Sequence, residues 1–305
     1  MSAPVRSGGP PSVWQHRGLY ERVVDALHAL PSRFQTSLRI AGISATDLFS
    51  LNTPLGAAIE ASVVDNLNML RDLWDPAGQY EVYSFVRQAQ VFPDVRLQTS
   101  APGVSEADRI LLGIELKGWF LLAKEGEPSF RYKASPNVCA AQDLLCVFPW
   151  TLDEVISGSP RLLRPFIEEA RYAAEHRNHY WEVLRGATGP TSKVSLSAVA
   201  APYPTKGQQF NDKPISDSGG NFGRVARGNI MADFIKDLME QPISGIPIKY
   251  WHRYLSIFSE GVSADAVDRK LAVIRTEAEN AGLISSGLDA FDRLQTALRD
   301  LVTKI

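Results

Sequence analysis

The sequence predicts an α/β (α+β) protein, a mixed central β-sheet flanked by helices, followed by a C-terminal lobe of helices and loops. Three observations lead there. An amphipathic helix, several apolar strands and a second long helix follow one another, the order expected of a sheet with helices packed on it. The fourteen-residue run Ile110–Ala123 is apolar except for two charged residues. After Gly186 the composition turns to Pro, Gly and Ser and stays so to about Asn221, which marks a boundary between core and lobe. With 305 residues, 45% of them hydrophobic, the chain can bury a large core.

In chain order, residues 1–12 (MSAPVRSGGPPS) read as a mobile tail. Residues 13–185 form the core. A helix is expected from Gly18 to Leu30, stopped by Pro31, and Ser44–Asp47 reads as a capping box with Asp in the Glu position. Thr53 as N-cap and Pro54 as the first helical residue open a stronger helix to about Trp74. Its apolar stripe is Ile59, Val63, Leu67, Leu70 and Trp74. Strands follow in the stretch Tyr80–Val91, which alternates poorly, and at Val95–Leu97, Ile110–Ala123, Phe130–Tyr132 and Leu144–Phe148. A helix is then expected from about Arg161 to Leu184, with Phe166, Ile167, Ala170, Ala173 and Leu184 inward. In the lobe, 186–305, a helix is expected over Val225–Met239. Two more, Ala264–Ala281 (Val267, Leu271, Ile274 and Ala278 inward) and Leu288–Thr303 (Phe291, Leu294, Leu298 and Leu301 inward), should pair as a hairpin. No internal repeat is present.

The net charge of −2 lacks the global basic excess of many nucleic-acid binders, although a local patch suffices to hold phosphates. Two cysteines, Cys139 and Cys146, are too few for a disulfide framework and have no metal-ligand spacing, so both should be reduced and buried. No signal-peptide core and no membrane-length apolar run is found, and a cytoplasmic location is expected.

The two charges within Ile110–Ala123 are Glu115 and Lys117. On a strand, side chains at i and i+2 share a face, so carboxylate and ammonium project side by side from an apolar element. Burying them costs several kcal/mol each unless they are paired or hold a metal. Asp94, 21 positions before Glu115 (115 − 94), follows Pro93 and begins a short apolar segment. A hairpin folding Val95–Leu97 against Ile110–Lys117 would bring Asp94 beside Glu115. Two carboxylates and a lysine around a small volume suit Mg²⁺, a hard cation that takes oxygen ligands and keeps several waters.

Pro93-Asp94, a spacer, then Glu115-Leu116-Lys117 resembles the PD-(D/E)XK nuclease motif, over about residues 50–185. The resemblance implies a restriction-endonuclease-like core and Mg²⁺-dependent hydrolysis of DNA phosphodiesters. Asp94 and Glu115 would hold the metal, and Lys117 would serve the attacking water. Members often carry a further acid on the preceding helix, and Glu60 matches by position, with Asp65 a competing acid just over one turn later.

Neither a GxxxxGK[ST] phosphate loop nor a methyltransferase glycine motif is present. A free-standing chain of this size is similar to an orthodox type II restriction endonuclease. That implies a homodimer cutting both strands of double-stranded DNA to leave 5′-phosphates, with a companion DNA methyltransferase acting on the same site. The C-terminal helices serve either as a dimer surface or for packing within the chain. For DNA contact, Lys193–Arg253 holds eight Lys or Arg against five Asp or Glu. Ser218–Gly223 offers backbone amides beside Arg224 and Arg227, and Lys249, Trp251, His252 and Arg253 form a second cluster. His176 and His179, beside Glu175, lack the spacing of a helical zinc site and read as solvated surface. The alternatives are a structure-specific nuclease of resolvase type and a non-catalytic DNA-binding protein.

Overall fold

The computed structural model describes residues 2–41, 52–123, 126–155, 157–186, 189–217, 220–255 and 263–280. Helix α1 (Arg17–Arg33) buries Leu19, Val23, Ala26, Leu27 and Leu30, the 3–4 spacing of one helical face. Pro31 does not stop it: the proline lies in the last turn, and the helix runs on to Arg33. The expected second helix is two, α2 (Asn52–Met69) and α3 (Arg71–Trp74), broken at Leu70. Its stripe is nonetheless buried along its whole length, and the Trp74 indole N–H donates to the Leu67 carbonyl (2.9 Å). The capping box at Ser44–Asp47 and the helix Leu288–Thr303 lie outside the described residues.

A six-stranded mixed sheet forms the centre, in the order β1-β2-β3-β4-β5, with β6 also on β4. β1 (Ser84–Arg87), β2 (Val95–Gln98) and β3 (Ile110–Phe120) make an antiparallel meander. β4 (Leu144–Leu152) then pairs parallel with β3, from Ile114↔Leu144 to Phe120↔Trp150. All nine residues of β4 are buried, as expected of a central strand covered on both faces. Each large apolar side chain so buried contributes about 1.5–3 kcal/mol.

Three expectations are corrected here. Phe130–Tyr132 is not a strand but part of the irregular β3–β4 crossover, held by a Tyr132 hydroxyl that donates to the Ala170 carbonyl (3.0 Å). The helix expected from Arg161 begins only at Ala170. Before it lie β5 (Pro160–Leu162) and β6 (Phe166–Glu169), which pair antiparallel with successive halves of β4. Pro165 disfavours helix at Arg164, and the edge of β4 supplies the ladder partner that periodicity does not reveal. α4 (Ala170–His179) then runs into a π-helical turn, Tyr180–Leu184, which leaves Leu184 exposed. Last, the segment expected to be a mobile tail is held down. Arg6 pairs with Glu168 (2.8 Å), and the Ser7, Gly8 and Gly9 amides donate to the Glu169 carboxylate.

Helices α1–α3 cover one face of the sheet, and α4 with Tyr132, Val138 and Cys139 packs on the other against Leu145. The C-terminal lobe contains two short hairpins, β7–β8 (Val194–Ser195, Lys213–Pro214) and β9–β10 (Pro242–Ile243, Ile246–Pro247). α5 (Ala232–Met239) is shorter than expected, because Val225–Gly228 forms a 3₁₀ turn that ends at left-handed Asn229. α6 (Ile248–Leu255) and α7 (Ala264–Asn280) close the described chain, joined by Arg253 and Glu277. Met231, Leu238, Trp251 and Ile274 of the lobe belong to the same apolar core as the sheet. Among the described residues no helix is long and apolar enough to cross a membrane.

Candidate active site

The geometry begins with strand β3. β2 leaves it at Val95↔Ile114, while β3 runs on to Phe120. Past that point the even-numbered amides of β3 face an edge with no strand. Two carboxylates take them: Asp94 Oδ2 accepts from the Leu116 N–H (3.0 Å), and Glu60 Oε1 accepts from the Gly118 N–H (3.3 Å). Without them the amides would be buried orphans, each costing about 1–3 kcal/mol. Asp94 is placed by the β1–β2 hairpin, whose closing bond runs from the Gln88 N–H to the Asp94 carbonyl (2.7 Å). Glu60 is placed by α2, which approaches β3 closely because glycines meet there. A Cβ on Gly118 would lie 3.3 Å from the Gly56 Cα.

Glu115 and Lys117 lie on one face, as their spacing requires. The Lys117 ammonium bridges Glu115 Oε1 (2.8 Å) and Asp94 Oδ2 (3.0 Å). All four expected residues thus converge from α2, the β1–β2 turn and β3. Asp65 is exposed, so the helix acid that reaches β3 is Glu60. Burial, reinforced by the Asp94 charge, pushes the Glu115 carboxyl up to about 7 despite Lys117. Burial, reinforced by the Asp94 charge, also raises Glu60, eased by Lys117, the Gly118 amide and Arg87. Burial works against the Lys117 charge, yet Glu115 and Asp94 outweigh it and hold the ammonium protonated well above its ordinary range.

Three carboxylates gather around one ammonium that is bonded to two of them, so the centre keeps more negative charge than its own cation neutralises. Asp94, Glu115 and Glu60 offer only oxygen donors, the set a hard cation such as Mg²⁺ takes together with water and phosphate. Among the described residues no three Asp, Glu, His or Cys side chains form a metal-binding group by themselves. A cation here would need ligands beyond the carboxylates.

One neighbour was not legible in sequence. Asp143 caps the opposite edge of β3 just before β4 begins: its carboxylate accepts from the amides of Gly113 and Ala140 (2.8 Å each) and from the Tyr203 hydroxyl (2.9 Å). Burial pushes it up to about 6. Gly113 has no room for a side chain, since a Cβ would meet Pro93 at 2.5 Å and Asp143 at 2.6 Å. The only sequence signal was a lone acid adjoining the apolar run of β4.

The expected DNA contacts fare differently. Arg227 lies 3.7 Å from Glu127, Lys249 is bound to Glu240 (2.6 Å), and Arg253 is bound to Glu277. Arg224 opens the 3₁₀ turn. Trp251 is buried, its indole N–H donating to the Ile243 carbonyl (2.9 Å), and His252 meets the Ala123 carbonyl (2.9 Å). Of Ser218–Gly223, residues 218–219 are outside the described chain, and the Asn221 and Phe222 amides are taken by Asp217 (2.7 and 3.0 Å). His179 is buried and His176 half-buried against Tyr172, not solvated as expected, because α4 is covered by the lobe. Cys139 and Cys146 are free and buried.

Scans against protein-family models, curated proteins and solved structures return no match to this chain.

Proposed function

We propose that the chain is a metal-dependent phosphodiesterase. Within that class we read it as a type II restriction endonuclease on a PD-(D/E)XK core, hydrolysing double-stranded DNA at a specific sequence. The observation that carries this is the convergence of Asp94, Glu115, Lys117 and Glu60 around the open edge of one buried strand.

Asp94 and Glu115 would hold Mg²⁺, with Glu60 shaping the site. The bound ion would supply Lewis acidity toward a phosphate oxygen and acidify a water. The chain's own residues do the positioning. Asp94 is fixed by its two bonds to β3, and Lys117 presents an ammonium to a nucleophile or to charge developing on phosphate oxygens. The proposed assembly is a homodimer whose two-fold axis matches a palindromic site, and a companion methyltransferase would protect host DNA.

Digestion of plasmid DNA with Mg²⁺ tests the reading. Discrete fragments with 5′-phosphate ends, lost in Lys117→Ala, are expected. Cleavage confined to branched substrates would replace it with a resolvase-type activity, and no cleavage of any DNA would leave it without support.

A further inference from the structure

Arg87 closes β1 and pairs in register with Val95, the neighbour of Asp94. Its direction follows from Phe85, two residues back on the same face. Phe85 stacks edge-on against Trp74 (centroids 5.3 Å), and its amide and carbonyl are both bound by the Asn68 side chain (2.9 Å each). The face that carries Phe85 therefore looks toward α2 and α3. Moving from Phe85 to Arg87 along β1, and from Asn68 two turns back to Glu60 along α2, leads to the rim of the acid centre, where the Arg87 charge acts on the Glu60 carboxylate. Glu115 and Lys117 project from the other face of the sheet.

The Arg87 side chain is exposed, and among the described residues it forms no hydrogen bond or ion pair, its one interaction being the pull of its charge on Glu60. It thus stands at the rim near Glu60, on the face opposite the Lys117 ammonium, and forms no salt bridge there, while Lys117 bridges Glu115 and Asp94. A DNA strand entering this centre meets three carboxylates and one ammonium, a net repulsion for a phosphodiester. A planar guanidinium at the mouth is suited to offset it, because its donors match a phosphate's oxygens two at a time.

We propose that Arg87 is a substrate-contacting residue that binds a backbone phosphate of duplex DNA beside the one held at Asp94, Glu115 and Lys117. This rests on the nuclease reading above. The experiment measures binding of a mixed-sequence duplex of about 30 base pairs to the full chain in EDTA, over a salt series, for the wild type, Arg87→Ala and Arg87→Lys. One lost phosphate contact lowers the slope of log K against log salt by about 0.9, so Arg87→Ala should bind several-fold more weakly with that smaller slope and an unchanged Tm. Arg87→Lys should restore the slope, since the charge returns, without the full affinity. Wild-type slope and affinity in Arg87→Ala would overturn this assignment alone and leave the nuclease reading standing. Failure of the wild type to bind duplex DNA would overturn both.

Discussion

Two ion clusters lie against the sheet, and they are built to different ends. On the α4 side, Arg177 and Asp212 are buried almost completely, 2.6 Å apart. Every donor has a destination: the Arg177 guanidinium also serves the Tyr132 and Ala134 carbonyls (3.0 and 2.9 Å) and the Asn178 amide oxygen, while Asp212 further accepts from Asn178 and from the Ser197 amide (2.9 Å each). At the open edge of β3, one ammonium serves two carboxylates with a third nearby, and burial raises Glu115 to about 7. A buried cluster with matched charge and saturated hydrogen bonds staples structure together. One with surplus negative charge, reached from solvent, is poised for a cation or a reacting group.

The largest expected effect tests the first half of that contrast. Arg177→Ala leaves Asp212 buried without its cation and should lower stability by about 3–5 kcal/mol, measured by denaturant unfolding. Lys117→Ala is its counterpart: Mg²⁺-dependent cleavage should fall by about 10²–10³ or more. Stability should change less than in Arg177→Ala, because Glu115 can take up a proton in place of the ammonium. A large stability loss in Lys117→Ala combined with a small one in Arg177→Ala would break the comparison.

Gly113→Ala comes next. The new methyl group would press on Pro93 and Asp143, shifting the turn that carries Asp94, so a loss of about 1–3 kcal/mol by thermal unfolding is expected together with slower cleavage.

The pH dependence sharpens the second half. A carboxyl whose pKa rises on folding keeps its proton in the folded state, so its stabilisation is full below the ordinary carboxylate range and is lost as pH rises through about 7. Metal-free protein should therefore lose Tm between about pH 5 and 8, and Glu115→Gln should flatten part of that slope, with Asp143 accounting for another part. Mg²⁺ affinity, measured by calorimetry, should run the other way, falling about tenfold per unit below pH 7 as the proton competes for Glu115. An affinity flat across this range would remove Glu115 from the metal shell.

The smallest effect is expected at the surface. Lys249→Ala breaks a half-exposed pair with Glu240 and should change stability by less than about 1 kcal/mol. A drop in duplex binding comparable to that of Arg87→Ala would return Lys249 to the DNA-contacting set.

Much of the centre was legible in the chain because its signals are local. Strand periodicity puts Glu115 and Lys117 on one face, and the apolar flanks announce burial. The short segment after Pro93 foretold the hairpin that brings Asp94 across, and Glu60 needed only its place on the helix that packs over the strand. Asp143, Tyr203 and Arg87 were not legible, since each depends on which edge of β3 is left open and what comes to cover it. The same limit explains β5 and β6. Their residues have a passable helical pattern, and only the free edge of β4, with Pro165 against helix, makes strands of them.

By itself, then, the sequence determined a sheet-and-helix protein with a charged pair inside an apolar strand and an acid a hairpin away, because 2.0 and 3.6 periodicities and turn residues are properties of neighbours along the chain. Tertiary structure alone decided which charges are neutralised and which are left over. The Arg177–Asp212 staple, the capped edge amides of β3 and the Arg87 charge acting on Glu60 all arise from groups far apart in sequence, where burial and hydrogen-bond satisfaction are settled by packing.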